Sequence, residues 1–337
     1  MKVSFLKNIP AEKFVSFNKK SFPGKQVEKI IDFRYFNPLN NSTSIENNVV
    51  ATDDNQNIIG QMCYHSASYF FNNELLQSEW GFDFFVDPES RNDAVGLQVL
   101  DFIKANKLLP IFGVGLGKRS LKLQKVYGFH LIGYLKKYYK IVNPIFLLSG
   151  FLTGRHVKTA RYPKFVGKGE NRFQKVSADE LWSNQSPYNQ SLLEFGRDKN
   201  FLSWRFFSSH FQYAVYRKVS DAGSPQPVYF AVRTTKVKKI TCLILSDFRF
   251  DTDKKSDFKA IVNAASSVAS ALYLPIVVTG SSHHVSDAVL EEARFKITGE
   301  DRTIVSNVKE YKQYQDQITA RNFLFTTLAD TDGEYLM

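Results

Sequence analysis

The stretch VDPESRNDAVGLQVLDFIKA, residues 86–105, decides how this chain is read. Just upstream, EWGFDFFV (79–86) is an apolar, aromatic run with the character of a strand. Downstream, Val95, Val99, Leu100 and Ile103 recur at helical spacing. Strand, short polar loop and helix in that order make a phosphate-binding turn. The first amides of a helix lack intrahelical partners and carry roughly half a positive charge. Small residues let an anion come close to them. RNDAVG supplies Ala94 and Gly96, with Arg91 at the loop's mouth. One glycine stands where such loops often have two. Ala94 is expected to keep right-handed backbone angles at minor steric cost. An ordinary strand-to-helix turn has the same composition, so context has to decide.

Outward from the loop, VVAT (49–52) and IIGQMCYHSASYFF (58–71) read as strands joined by the turn DDNQN. LPIFGVGLG is a further strand. KRSLKLQKVYGF is a short helix closing at Gly128, and HLIGYLKKYYKIV is again a strand. A meander passing into β-α-β predicts a mixed α/β (α+β) sheet. A crossover through the helix at 94–106 would splay two strands apart, where ligands bind. TGRHVKTARYPKFVGKGENRF (153–173) has little periodicity and reads as a linker or substrate-facing loop. The second half repeats the order: FQYAVYRKV, PVYFAVRTT and KITCLILSDFRF as strands, a long helix in SDFKAIVNAASSVASALYL, then PIVVTGSS and SDAVLEEARF. Aligning FDFFVDPESR with LSDFRFDTDK brings the halves into register, which is an internal duplication. Three parts are expected: 1–150, a basic segment 151–200, and 201–337.

The chain's 337 residues suit two domains or one large one. Thirty Phe and sixteen Tyr supply large core units. The two cysteines, Cys63 and Cys242, lie far apart in strand-like runs and read as buried thiols of a reducing compartment. No secretory leader is seen, and PIFLLSGFL (144–152) is too short to span a bilayer, so a cytoplasmic location is expected. Net charge is +11, and between Lys118 and Lys175 fourteen basic residues face one acid, Glu170. An anionic partner or a solvated basic face follows. Zinc-finger spacing, RNP-like segments and helix-turn-helix patterns are missing, so charge alone favours no nucleic-acid partner. No metal site is expected: His283 and His284 would point apart on a strand, and no spaced ligands accompany them.

VDPESRNDAVG resembles the signature of the GCN5-related N-acetyltransferase (GNAT) superfamily: a strand ending V-x-P, then Arg/Gln-x-x-Gly-x-Gly/Ala, then a helix. Ala94 departs from it at the first glycine. FGVGLGKRSLKLQKVYGF (112–129) resembles that family's following strand and helix, which commonly end in GF. The likeness covers roughly residues 45–142. It implies acyl transfer from acyl-coenzyme A to an amine by direct attack on the thioester. Backbone groups of Arg91, Asn92, Asp93, Ala94, Val95 and Gly96 would hold the pyrophosphate. Phe85 and Val86 would border the pantetheine arm, and Lys118 and Ser120 would add contacts from the next helix. Where many family members carry a tyrosine acid, this chain has Gln124. Tyr127 lies on another side of the helix and is a poor substitute. A thiol of ordinary pKa leaves tolerably without an acid.

An amine nucleophile must lose a proton before or during attack. Glu79 and Asp83 are expected to share one strand face with Gly81 opening space between them, and His65 is a third candidate base. The second half has no small-residue pair in FDTDKKSDF, so it reads as a degenerate unit. One live and one degenerate unit resemble tandem enzymes of bacterial surface-polysaccharide assembly. FLSWRFF (201–207) and FTTLADTDGEYLM (325–337) look like segments of such proteins. The resemblance implies a nucleotide-linked amino sugar as acceptor, in a monomer or homodimer. Segment 155–175 would meet its diphosphate. Trp182, Tyr188 or Trp204 would stack on base or sugar, and Arg205, Asp330 and Asp332 would bind polar groups. DTDGE reads as a turn or as a sugar contact; the full calcium-loop pattern is missing. Two other readings stay open: an aminoacyl-tRNA-dependent transferase to peptidoglycan precursors, and a non-enzymatic anion-binding module.

Overall fold

A computed structural model describes residues 1–23, 31, 33–35, 48–147, 161–181, 186–207, 211–237, 240–299 and 301–331. The strands used below are β1 (Lys2–Phe5), β2 (Val49–Thr52), β3 (Ile58–Phe71), β4 (Glu74–Val86), β5 (Ile111–Val114), β6 (His130–Ile141), β7 (Phe165–Val166), β8 (Phe173–Val176), β9 (Leu193–Phe195), β10 (Tyr213–Lys218), β11 (Tyr229–Val237), β12 (Ile240–Arg249), β13 (Ile276–Ser281), β14 (Lys296–Ile297), β15 (Arg302–Ser306) and β16 (Leu324–Phe325). They form a mixed sheet ordered β1-β2-β3-β4-β5-β15-β6-β13-β12-β11-β10-β8-β7. Two parallel pairings, β4–β5 and β12–β13, mark the two crossovers.

The apolar repeat seen in sequence builds the first crossover. Val95, Val99, Leu100 and Ile103 are the buried residues of the helix Val95–Asn106, which packs on Val49, Met62, Tyr64 and Ile111. The helix Lys118–Val126 ends ahead of Gly128, whose φ of +88° suits glycine. On the other sheet face the helix Ala11–Ser21 lays Phe14 and Phe17 beside Cys63 and Phe85. In the second unit the helix Lys255–Ala271 buries Phe258, Ile261, Ala265 and Val268.

The duplication is visible in a backbone irregularity. Gln61 faces Phe85 and Cys63 faces Phe82, so Asp83 and Phe84 together oppose Met62. In the second unit Ala231 faces Asp247 and Val232 faces Leu245, which leaves Ser246 extra. The alignment of FDFFVDPESR with LSDFRFDTDK pairs Asp83 with Ser246, so both central strands bulge at the same place. A bulge bends its strand. β4 meets β5 only at Glu79, Trp80 and Gly81, and beyond them the two strands part.

Two expectations change here. The halves do not close separate sheets: β15 from the second half lies between β5 and β6, and β6 pairs onward with β13. The basic segment is not all linker, for β8 pairs with β10 and β7 with β8 at the sheet's outer end. Residues 151–160 lie outside the described residues.

Candidate active site

The loop begins with a 3-10 turn over Pro88–Asp93, capped by Asp87, whose carboxylate accepts from the Glu89 amide at 3.2 Å. Lys20 also donates to Asp87, at 2.8 Å. Ala94 then takes φ 56°, ψ 21°, and the helix starts at Val95. This corrects the right-handed conformation expected at Ala94. The left-handed residue costs an L-side chain roughly 1–2 kcal/mol, and it turns successive backbone N–H groups into one concavity, an anion nest. Gly96 lies behind it: a Cβ there would stand 3.5 Å from Phe84 and 3.6 Å from Val86.

In front of the nest lies a cleft of about 450 Å³ lined by Phe84, Phe85, Val86, Arg91, Ala94 and Gly96, with Arg119 and Ser120 opposite. Of the expected cofactor contacts, Lys118 is exposed at the next helix's start and does not line the cleft; Arg119 does. Asp93 is exposed and Val95 is core. Asn92 contributes its backbone to the turn.

Beyond Phe84 and Ser120 a second cavity, of about 370 Å³, opens where β4 and β5 part. Asp83 borders it, and so do Gly81, Gly113 and His65. Glu79 does not. The expected shared face fails because the bulge, with Asp83 at φ 51°, breaks the alternation between them. The Glu79 carboxylate lies in the core instead, 2.7 Å from the equally buried Lys107 ammonium, which sits over the Tyr64 ring. Burial pulls the Lys107 pKa down, against the pull of Glu79. Asp83 accepts from Tyr35 Oη and lies 3.3 Å from Arg34. Its backbone carbonyl accepts from Gln61 Nε2 at 3.4 Å, and Gln61 is bonded in turn to Asn18. A buried polar network therefore holds the bulge from beneath.

His65 lies mid-strand in β3. Desolvation, reinforced by the charges of Arg205 and Arg34, lowers its pKa to about 3, so its imidazole is neutral at physiological pH. Gln124 is buried on the helix Lys118–Val126 and borders the same cavity. Tyr127 donates to Leu97 O at 3.2 Å, pointing elsewhere.

His65, Trp80 and Asp330 border this cavity and also a third, of about 160 Å³, on the far side. The third pocket has an aromatic wall of Trp80, Phe195, Phe201 and Trp204, and into it are set the polar residues Ser66, Ser68, Gln77, Arg197, Asp198 and Asn200. Sequence reasoning missed these residues, although the Ser66–Ser68 alternation and the polar run GRDKN were available as signals. Asp330 is an expected site residue that reaches the site, but it is not free. Its carboxylate lies 2.6 Å from Arg197 and accepts from the Thr327 amide. Asp247 bonds Arg197, Arg249, Thr327 and Tyr229. Burial raises its pKa, but the two guanidiniums outweigh this and hold it well below the carboxylate range.

Trp204 is a wall, not a stacking platform: one face stacks on Phe33 at 5.1 Å and its Nε1 donates to Phe33 O. Arg205 is buried and donates to Thr331 O at 3.1 Å. Tyr188 donates to Pro227 O and borders a separate small cavity. Trp182 and Asp332 lie outside the described residues. Segment 161–175 stands at the sheet's far edge, so it does not meet a ligand in this pocket. His283 and His284 have ring centroids 4.5 Å apart at a helix start, where strand geometry had been expected. Among the described residues no group of three His, Cys, Asp or Glu could hold a metal, and no helix is long and apolar enough to cross a membrane. Cys63 and Cys242 are buried thiols, not joined in a disulfide.

A bulged central strand, a splay beside it and an anion nest at the following helix, repeated once without the nest, define a doubled mixed α/β fold. That is the GNAT fold. No protein-family model and no curated protein sequence matches the chain. Solved structures do. Saccharomyces cerevisiae N-myristoyltransferase with bound myristoyl-CoA is 8% identical at a TM-score of 0.59, over 90% of this chain and 82% of that one. A GCN5-related N-acetyltransferase from Anabaena variabilis is 13% identical at 0.57, over 90% and 72%. A probable N-acyltransferase from Enterococcus faecalis V583 is 11% identical at 0.58, over 90% and 71%.

Proposed function

We propose that the chain is an acyl-coenzyme A-dependent N-acyltransferase whose acceptor is the amino group of a nucleotide-linked amino sugar, as surface-polysaccharide assembly requires. The observation that carries this reading is the run of three adjoining cavities. The anion nest opens on the cleft, the cleft on the splay, and the splay on the third pocket. A pyrophosphate at the nest places a pantetheine arm along residues 84–86, where β4 has no β5 partner. The thioester then lies in the splay, and the acceptor arrives from the opposite side. Serine, amide and carboxylate groups in the third pocket suit a polyhydroxylated sugar. Asp198 favours the approach of an ammonium. The amine attacks the thioester carbonyl, the C–S bond breaks, and the thiolate leaves. Asp83 is read as the group that accepts the amine's proton, directly or through water, while His65, whose pKa is held at about 3, is too weak a base for that and is read as a neutral hydrogen-bonding wall between the two cavities. A solved relative bound to myristoyl-CoA supports the acyl-coenzyme A assignment.

The test is release of free thiol from acetyl-CoA or 3-hydroxybutyryl-CoA in the presence of a panel of dTDP- and UDP-linked amino sugars. Thiol release dependent on one amino sugar, with a matching amide product, is the expected result. A protein that binds none of the coenzyme A esters by calorimetry is not this enzyme. One that binds them and acylates a different amine keeps the chemistry and changes the acceptor.

A further inference from the structure

The basic run at 161–175 is a sequence feature that the site leaves unused. β7 and β8 fold it into a hairpin at the outer end of the sheet, and none of its residues lines the cleft, the splay or the third pocket. From 164 to 175 it carries Lys164, Lys168, Arg172 and Lys175 against one acid, Glu170. All four cations are exposed, and none forms an ion pair among the described residues. Acids on neighbouring elements are already engaged. The Glu180 carboxylate accepts from the Ser177 amide, Asp221 accepts from the Val228 amide, and Asp257 pairs with Lys218. The Lys175 amide donates to Lys164 O at 2.9 Å, in register with the β7–β8 pairing, so the two lysines stand opposite each other. Like charges in that relation destabilise a strand pair, and an anion outside the chain relieves the repulsion. Phe165 lies among them, 38% exposed, with Lys164 Nζ 5.6 Å and the Arg172 guanidinium 4.0 Å from its ring centroid.

We infer that this hairpin docks the protein on an anionic lipid bilayer, with its cations against the lipid phosphates and Phe165 at the boundary with the acyl chains. Long basic side chains lay their stems along apolar surface and keep their charges among the headgroups. Single-stranded nucleic acid asks for something else, a cationic groove with open aromatic faces on which bases stack. Here the exposed aromatic of the hairpin has Arg172 over its ring, and the cations rim a sheet edge. Docking by this edge leaves the nest and the splay clear, because they belong to β4 and β5, several strands away in the sheet order. Each basic residue near such a surface strengthens binding about fivefold, and salt screens the effect.

The experiment is sedimentation of the full chain with vesicles of phosphatidylcholine alone and of phosphatidylcholine mixed in equal parts with phosphatidylglycerol. Binding to the mixed vesicles only, released at about 1 M salt where the Debye length falls to about 3 Å, is the expected result. A Lys164→Gln, Lys168→Gln, Lys175→Gln triple variant should keep the parent's circular dichroism spectrum and bind the mixed vesicles about a hundredfold more weakly. Phe165→Ser should weaken that binding several-fold without altering its salt dependence. Single-stranded RNA and duplex DNA oligonucleotides, titrated at the same ionic strength, should bind more weakly than the mixed vesicles. No vesicle binding, equal binding to both vesicles, or binding that survives the triple substitution overturns the assignment. Tighter oligonucleotide binding, lost in the triple variant, also overturns it and gives the surface to nucleic acid.

Discussion

Thr327 Oγ1 donates to Asp247 Oδ1 at 2.7 Å, and through this bond the tail of the chain closes the second unit's splay. Leu328 follows it in, so close to Gly280 that a Cβ there would stand 2.7 Å away. Ser282 Oγ binds the Leu324 carbonyl at 3.0 Å and receives the Thr326 amide at 2.7 Å. The place that is an open cavity in the first unit is thus filled by protein in the second. Lys218 pairs with Asp257 in the first turn of the second unit's long helix.

Asp247 is the centre of that closure. Asp247→Ala leaves Arg197 and Arg249 buried with fewer counter-charges, and removal of one partner of a buried pair costs about 3–5 kcal/mol. Urea unfolding should show a loss of this size, and Thr327→Val a smaller one. A loss under 1 kcal/mol for Asp247→Ala would mean that Asp330 alone satisfies both arginines.

Ala94 offers the opposite prediction. Glycine holds a φ of 56° without the Cβ clash, although it gives the unfolded chain more freedom. Ala94→Gly should therefore gain about 0.5–1 kcal/mol and keep coenzyme A affinity. Ala94→Val should lose stability. An Ala94→Gly protein less stable than its parent contradicts the left-handed conformation.

Gly96 separates folding from binding. Alanine there meets only ordinary contacts of 3.5–3.7 Å, so Gly96→Ala should fold and bind. Gly96→Trp fills the cleft and should weaken coenzyme A binding at least a hundredfold, with an unchanged circular dichroism spectrum. Calorimetry on the two variants decides the matter.

The three acids and bases divide by position. Asp83→Asn should slow acyl transfer by tenfold or more with little change in coenzyme A affinity, and His65→Gln, which removes an imidazole too weakly basic to take the proton, should slow it less. Removal of a positioned acid–base group typically costs 10²–10⁴-fold in rate. Glu79→Gln should leave turnover near normal but lower the melting temperature, because Lys107 loses its buried partner. Single-turnover rates and thermal melts on the same three proteins separate these roles.

The histidines predict a pH dependence of folding. His65 and His283 have pKa values lowered to about 3, in each case mainly by burial. Unfolded, they would titrate near 6.5. The unfolded chain therefore binds more protons between these values, and stability falls as pH drops from about 6.5 towards 3. A His65→Phe, His283→Asn double variant should show a shallower decline across that window.

What was legible in the sequence, and what was not, divides along physical lines. The helix at 95–106 was legible because four apolar residues at helical spacing admit one buried face. The strands of both halves and their common order were legible for the same reason, and the alignment of Asp83 with Ser246 follows from them. The bulge itself was hidden: FDFFV reads as an unbroken apolar strand, and an extra residue shows only in the register with Gln61 and Cys63. With it went the side on which Glu79 lies. The role of Trp204 was hidden too, since an aromatic at a cavity wall and an aromatic stacked on Phe33 have the same letter. The place of β15, RTIVS, is not written in its own residues, because it depends on partners about 170 residues or more away at Leu131 and Phe112.

That strand sets an order of events in the making of the protein. β5 and β6 leave the ribosome early, yet the gap between them is filled by residues 302–306. Until residues 302–306 have been synthesised, both strands have an unpaired edge, the kind of surface that templates association between chains. Nascent chains stalled before residue 300 should therefore be protease-sensitive and in need of chaperones. A fragment ending near residue 200, which a reading of the duplication as two separable modules would suggest expressing, should not yield a folded coenzyme A-binding unit.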